Sequence, residues 1–245
     1  MSTRALVLIL ATVVALPAPV WAGQQPDVTA TRDLSGVWMA RDPGPTFATA
    51  EPRMTPWAVD RFQQARPTLG PRATVEANDP TVACLPPGVP YVLTVPVPFE
   101  FVTTADRITQ LFEYNHTVRR IYMDGRPHPA DLADTESAQW MGHSVGRWEG
   151  DTLVIDTVGF NDRSWLDRLG HPHSTSLHLV ERVRRTDART LQYDITVDDP
   201  VAYETRWDGR LVFVQRPGWD ILEHHCMPEE SEYARYRTRA WQPAR

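Results

Sequence analysis

Two histidines on either side of a proline, His171 and His173, are the residues best placed for chemistry in this 245-residue chain. Pro172 restricts the residue before it to extended backbone, and alternate side chains of an extended segment point to the same side. We therefore expect the two imidazoles to converge on one ion or one substrate. The other residues that could complete such a site are His143, His178, His128, Glu113 and Glu181.

Two kinds of chemistry are open to this set. In the first, the site holds a divalent transition metal, because three nitrogen or oxygen ligands with one open position make the usual catalytic zinc-like site. The candidate ligands are His171, His173 and His178. In the second, no metal is bound, and the general acids and bases are His143, His171, His173 and Glu181. Because no fixed ligand signature such as H-E-x-x-H is present, structural histidines are the alternative.

Glu181 is predicted to lie in an apolar row. Side chains alternate along a strand, so Leu179 and Val183 share its face. Removing a carboxylate from water favours its protonated form, which suits a general acid or base near neutral pH. The alternative is a buried ion pair with a nearby arginine, Arg120 or Arg182.

Aromatic residues surround the candidate histidines in the sequence. Aromatic walls with a few polar groups are typical of small-molecule pockets, although core packing is the usual role of any single tryptophan. The predicted ligand contacts are Trp140, Trp148, Phe160, Trp165 and Tyr122.

The sequence G-x-S-x-G over residues 142–146 matches the nucleophile elbow of α/β-hydrolases. In that elbow the serine lies on a tight turn from a strand into a helix, whose amides help to form the oxyanion hole. No helical pattern follows residue 146, so we do not expect Ser144 to be a nucleophile of this kind.

The elements that must position these residues are mainly strands. Short alternating runs separated by turn residues predict an antiparallel meander, sandwich or barrel and argue against a parallel α/β fold. The predicted strands cover residues 108–114, 118–123, 152–160, 177–184, 191–197, 211–215 and 219–225. One short helix is predicted from a Thr55 cap to Ala65. Eight prolines between residues 67 and 100 predict extended or edge-strand backbone there.

The N-terminus is typical of an exported protein. Residues 1–22 combine a short basic start, an apolar run and a small-residue exit, which predicts a cleaved signal peptide. We expect a flexible leader over 23–32, a single domain over 33–245, and a periplasmic or secreted protein without a transmembrane segment. Its two cysteines, Cys84 and Cys226, are then expected to form a disulfide, a paired thiol catalyst being the alternative. The formal net charge of −6 argues against nucleic acid as a partner.

Several motifs together resemble a family of exported bacterial β-rich proteins whose activity is unassigned. They are residues 84–88 (CLPPG), 122–129 (YMDGRPHP), 140–157 (WMGHSVGRWEGDTLVIDT), 159–160 (GF) and 170–174 (GHPHS). The resemblance implies no catalytic residues. Residues 33–38 (DLSGVW) also resemble the first strand of lipocalin or calycin barrels, which implies a barrel that holds a small molecule at its mouth.

Two functions follow from these observations. In one, the protein binds or carries a partly apolar or aromatic small molecule. In the other, it is a hydrolase, lyase or isomerase that uses its histidines and Glu181, with or without a metal. Fold alone does not separate them.

Overall fold

The computed structural model describes residues 32–133 and 138–227. Its main feature is a closed barrel in which each strand pairs with the next along the chain and the last pairs with the first. The strands are β1 Gly36–Ala40, β2 Phe99–Thr103, β3 Arg107–Phe112, β4 Val118–Tyr122, β5 His143–Glu149, β6 Thr152–Val158, β7 His178–Asp187, β8 Thr190–Asp198 and β9 Trp207–Gln215. The predicted signal peptide lies outside the described residues.

One strand pair corrects the prediction of a wholly antiparallel sheet. β4 and β5 run parallel, with Ile121 opposite Ser144 and Tyr122 opposite Val145, whereas every other pairing in the barrel is antiparallel. A parallel pair needs a crossover of about a dozen residues or more. The connection over residues 123–142 supplies it and carries His128.

Large apolar side chains fill the core. The alternation predicted for β8 is confirmed, since Leu191, Tyr193, Ile195 and Val197 are all buried. Side chains that join them in the same cluster are Trp38, Phe99, Phe101, Ile108, Phe112, Ile121, Leu153, Ile155, Leu179, Val183, Leu211 and Phe213.

The C-terminal strand differs from the prediction. Residues 219–225 are not a strand, and Trp219 and Leu222 in that segment are exposed. The strand predicted over residues 211–215 is β9, and it begins earlier, at Trp207. Gly209 lies within this strand, with the ring of Phe47 packed directly against it: a Cβ there would be 2.2 Å from Phe47 Cδ2. The glycine therefore marks a close packing contact and not a turn.

The predicted helix is confirmed as α1, Pro56–Gln64, with the side chain of Thr55 accepting a hydrogen bond from the Ala58 amide. The proline-rich segment is less extended than predicted, because it contains a 3₁₀ turn over Pro80–Ala83 and a single helical turn, α2, over Tyr91–Thr94. In both, a proline stands where the first turn leaves amides unpaired, so its missing N–H costs nothing. Among the described residues, no helix is long and apolar enough to cross a membrane.

The predicted disulfide between Cys84 and Cys226 is confirmed. It joins residues 142 positions apart, and so connects the proline-rich segment to the chain that follows β9. A loop of this length is expected to contribute roughly 4–5 kcal/mol in the chain-entropy description.

Candidate functional site

The predicted histidine pair does not share a ligand site. His171 Nδ1 lies 2.7 Å from Asp167 Oδ2, and its Nε2 lies 3.4 Å from Glu51 Oε1. His173 is also buried but bonds elsewhere, to Ser164 and to the Ser174 carbonyl oxygen. Each imidazole therefore has its own set of partners.

Their electrostatics also differ. Burial by itself would lower the pKa of His171, but the hydrogen bond and charge of Asp167 outweigh it and raise the pKa. His173 has no such carboxylate bond, and burial lowers its pKa. We therefore expect His171 to be charged at a pH where His173 is neutral.

The predicted metal ligands are not assembled. His171 and His173 have the partners just described, and His178 lies 3.1 Å from Asp156. Across residues 32–133 and 138–227, no group of three or more His, Cys, Asp or Glu side chains is placed to hold a metal ion.

Glu181 is fully buried, as its apolar row predicted, but neither arginine proposed as its partner contacts it. The pair is made by Arg119, whose Nη1 donates to Glu181 Oε1 at 3.0 Å and whose Nη2 donates to Glu181 Oε2. Arg119 faces the barrel interior because it is flanked on β4 by outward residues, Val118 and Arg120. Arg182 likewise faces outward, where it pairs with Glu149.

Ser144 belongs to this interior network and not to an elbow. Its Oγ accepts a hydrogen bond from Arg119 Nε at 3.1 Å and lies 3.0 Å from Thr157 Oγ1. It is buried within β5, and the chain continues as strand. Gly146 in the same motif meets Met123 closely, since a Cβ there would be 2.6 Å from Met123 Sδ. The motif thus serves barrel packing.

A cluster on the outer face of the same strands joins three of the candidate histidines to an aspartate that the sequence analysis did not single out. Its members are His143 at the start of β5, Asp156 on β6, His178 at the start of β7, and His128 from the crossover. The residue after each of His143, Asp156 and His178 is buried. Because side chains alternate along a strand, these three side chains point away from the core. We call His128, His143, Asp156 and His178 the outer-face cluster.

The hydrogen bonds of the cluster have a definite direction. Asp156 accepts at both oxygens, from His128 Nε2 at 3.0 Å and from His178 Nε2 at 3.1 Å. When His128 is neutral, its Nδ1 is therefore a lone pair, and the 2.8 Å contact with His143 Nδ1 requires His143 to donate. This leaves His143 Nε2 as an unprotonated base. We call the chain from Asp156 through His128 to His143 the histidine relay.

The relay is open to solvent, unlike Glu181. The side chains of His128 and Asp156 are 23% and 29% exposed. Burial, the neighbouring His128 and the positive charge of Arg126 together lower the pKa of His143. Tyr122 stacks on the His143 ring with a centroid distance of 5.2 Å. The guanidinium of Arg126 lies over the Tyr122 ring, 3.9 Å from its centroid.

The aromatic residues predicted to contact a ligand are distributed over separate places. Tyr122 belongs to the relay, as just described. Phe160 makes an edge contact with His173, and Trp165 lines a cavity next to the same histidine. Trp148 packs against the core with Arg32 over its ring, and the Trp140 carbonyl lies against Gly88. They do not form one wall.

Comparison with protein-family models, curated proteins and solved structures finds no match to this chain.

Proposed function

We propose that the protein is an enzyme that carries out acid–base chemistry on a small molecule at the histidine relay. The observation that supports this most directly is the ordered chain of hydrogen bonds from Asp156 through His128 to His143. An imidazole held by a carboxylate-bound partner has a fixed tautomer, and the lowered pKa of His143 keeps it unprotonated, as a base must be. The reaction classes that need such a base are hydrolysis, elimination and isomerisation.

Each relay residue has a separate role in this proposal. His143 Nε2 removes a proton from the substrate, and the positive charge that results is shared with His128 through the bond between their Nδ1 atoms. Asp156 orients His128 and offsets that charge. Tyr122 stacks on the His143 ring and so helps to hold the base in place.

The proposal can be tested before the substrate is known. Purified protein is incubated with a small-molecule extract of its source cells, and compounds consumed or produced are followed by mass spectrometry. Wild-type protein should change a defined set of compounds, and His143→Gln should slow that change by about 100-fold or more, the usual contribution of a general base. His225→Gln, at an exposed histidine outside the cluster, is the matched control. Equal turnover by wild type and His143→Gln would refute the role of the relay.

Export from the cytoplasm is a second part of the proposal. The Cys84–Cys226 disulfide supports it, because disulfides persist mainly in oxidising compartments. The mature protein should begin at Gly23, which N-terminal sequencing of the protein from the periplasm or medium would show. An N-terminus that still carries residues 1–22 would contradict this part alone.

A carrier function remains the second candidate, because one cavity suits a partly apolar ligand. It has a volume of about 470 Å³, within the range of small-molecule sites. Its lining residues are Met39, Pro96, Val97, Pro98, Glu113, Trp219, Asp220 and Leu222. A lipocalin-like relationship would agree with this function and is supported by the buried Trp38 of β1, whose Nε1 donates to the Leu34 carbonyl at 2.9 Å. Lipocalin barrels have eight antiparallel strands, however, and this barrel contains a parallel pair.

The carrier function predicts saturable binding of a hydrophobic fluorophore such as 1-anilinonaphthalene-8-sulfonate, with energy transfer from Trp219. Trp219→Ala should weaken binding, whereas His143→Gln should not. Binding unaffected by Trp219→Ala would remove this cavity as the carrier site.

A further inference from the structure

A serine and a histidine outside the relay form a pair with the geometry of a nucleophile and its base. Ser164 Oγ lies 3.0 Å from His173 Nε2. His173 Nδ1 lies 3.1 Å from the backbone carbonyl oxygen of Ser174. A carbonyl oxygen can only accept, so Nδ1 carries the proton, Nε2 is a lone pair, and the Ser164 hydroxyl donates to it. The carbonyl thus orients the imidazole as the carboxylate does in a catalytic triad.

The pair borders a cavity of about 230 Å³ that Ser164 and His173 both line. This volume is below the roughly 300–1,000 Å³ of drug-sized ligand sites, which limits the substrate to a small group. The remaining lining residues are Arg61, Gln64, Ala65, Asn78, Asp162, Arg163, Trp165 and Pro172. The charged residues of that lining are two arginines, Arg61 and Arg163, and one carboxylate, Asp162.

The surroundings hold the pair in place. Gly88 has a φ of +71°, and a Cβ at that position would be 2.9 Å from Ser164 Oγ and 2.7 Å from the Trp140 carbonyl oxygen. The ring of Phe160 makes an edge contact with His173 at a centroid distance of 6.0 Å. A fixed nucleophile is what covalent catalysis requires, because small displacements of the attacking atom are costly.

We propose that Ser164 and His173 form a nucleophile–base dyad that hydrolyses esters of small carboxylic acids. Ser164 Oγ bonds to the ester carbonyl carbon while its proton passes to His173 Nε2. The carbon–alkoxy bond then breaks, and the alcohol leaves with the proton from His173. Water repeats these steps on the acyl-serine, so that the sum is ester and water giving acid and alcohol.

This proposal does not rest on the relay, and one experiment separates the two. The probes are p-nitrophenyl acetate for turnover and a small alkyl fluorophosphonate for labelling, with peptide mapping by mass spectrometry. We expect the label on Ser164, and a loss of hydrolysis of at least about 100-fold in Ser164→Ala and His173→Gln. His225→Gln, at an exposed histidine, and Ser176→Ala, at an exposed serine on the same loop as His173, should hydrolyse and be labelled as wild type does.

Folding is checked in the same proteins by thermal melting, since Ser164→Ala removes one neutral hydrogen bond and should unfold cooperatively near the wild-type temperature. A label that is absent from Ser164, or hydrolysis unchanged in Ser164→Ala, would overturn the dyad. Loss of hydrolysis in His143→Gln alone would assign the activity to the relay instead.

Discussion

The two faces of strands β5 to β7 carry polar groups of opposite character. On the inner face, Ser144, Thr157 and Glu181 surround Arg119, and all four side chains are buried. On the outer face, His143 and Asp156, each one residue earlier in the chain, are partly exposed. Adjacent residues therefore have different roles. The buried Arg119–Glu181 pair stabilises the strands that carry His143 and Asp156.

The largest effect is expected from breaking the inner face. Glu181→Gln leaves Arg119 buried without a counter-charge, and the loss of one partner of a buried pair costs about 3–5 kcal/mol. Urea unfolding followed by tryptophan fluorescence measures the change. The double variant Arg119→Met/Glu181→Leu should recover most of the loss, because it removes both charges. A Glu181→Gln protein as stable as wild type would contradict the structural role assigned to this pair.

Next in size is a change on the outer face that spares stability. Asp156→Asn should slow turnover by an order of magnitude or more, since an amide can also donate and so no longer fixes the protonation of His128 and His178. Turnover and urea unfolding of the same protein are the measurements. Glu149→Gln, which alters an exposed ion pair on the same strands, should leave turnover unchanged. A large loss of stability without a change in rate would reverse the distinction between the two faces.

The pH dependence should separate the histidines by sign. The pKa of His143 is lowered, so the folded state disfavours its protonation and this histidine takes stability away as the pH falls below about 6.5. The pKa of His171 is raised, so its contribution is present below about 6.5 and is lost as the pH rises through its folded value. NMR titration of the imidazole carbon-bound protons gives both pKa values. A pKa of His143 equal to or above that of His171 would contradict the assignment.

The smallest effect should come from Tyr122. Tyr122→Leu removes the ring that stacks on His143 and should cost about 0.5–1.5 kcal/mol of stability, with a modest rise in KM. Tyr122→Phe keeps the ring and should behave as wild type in both measurements. If Phe lost activity as fully as His143→Gln does, the phenol hydroxyl would have to take part in the chemistry.

The sequence was most informative about features that depend on a single strand or helix. Alternation within β8 and the apolar row around Glu181 predicted which side chains are buried, because side-chain direction depends only on position along the strand. The helix cap at Thr55 was also predictable, because a cap involves only residues close together in the sequence.

Contacts that depend on strand order could not be read from the sequence. His128 reaches Asp156 only because the crossover returns the chain to make β4 and β5 parallel, whereas the sequence predicted antiparallel strands. The choice of Arg119 over Arg120 likewise depends on which face of β4 is inside the barrel. His171 and His173 were wrongly expected to converge. His171 instead bonds to Asp167, and His173 bonds to Ser164.

The most direct test of the relay is the protonation state of its ring nitrogens. Long-range ¹H–¹⁵N NMR spectra at a pH above the pKa of His143 would report which nitrogen of each imidazole carries a proton. We expect a protonated Nδ1 and an unprotonated Nε2 in His143, and a protonated Nε2 in His128. A proton on His143 Nε2 under those conditions would mean that no base faces the substrate, and would contradict the proposed function.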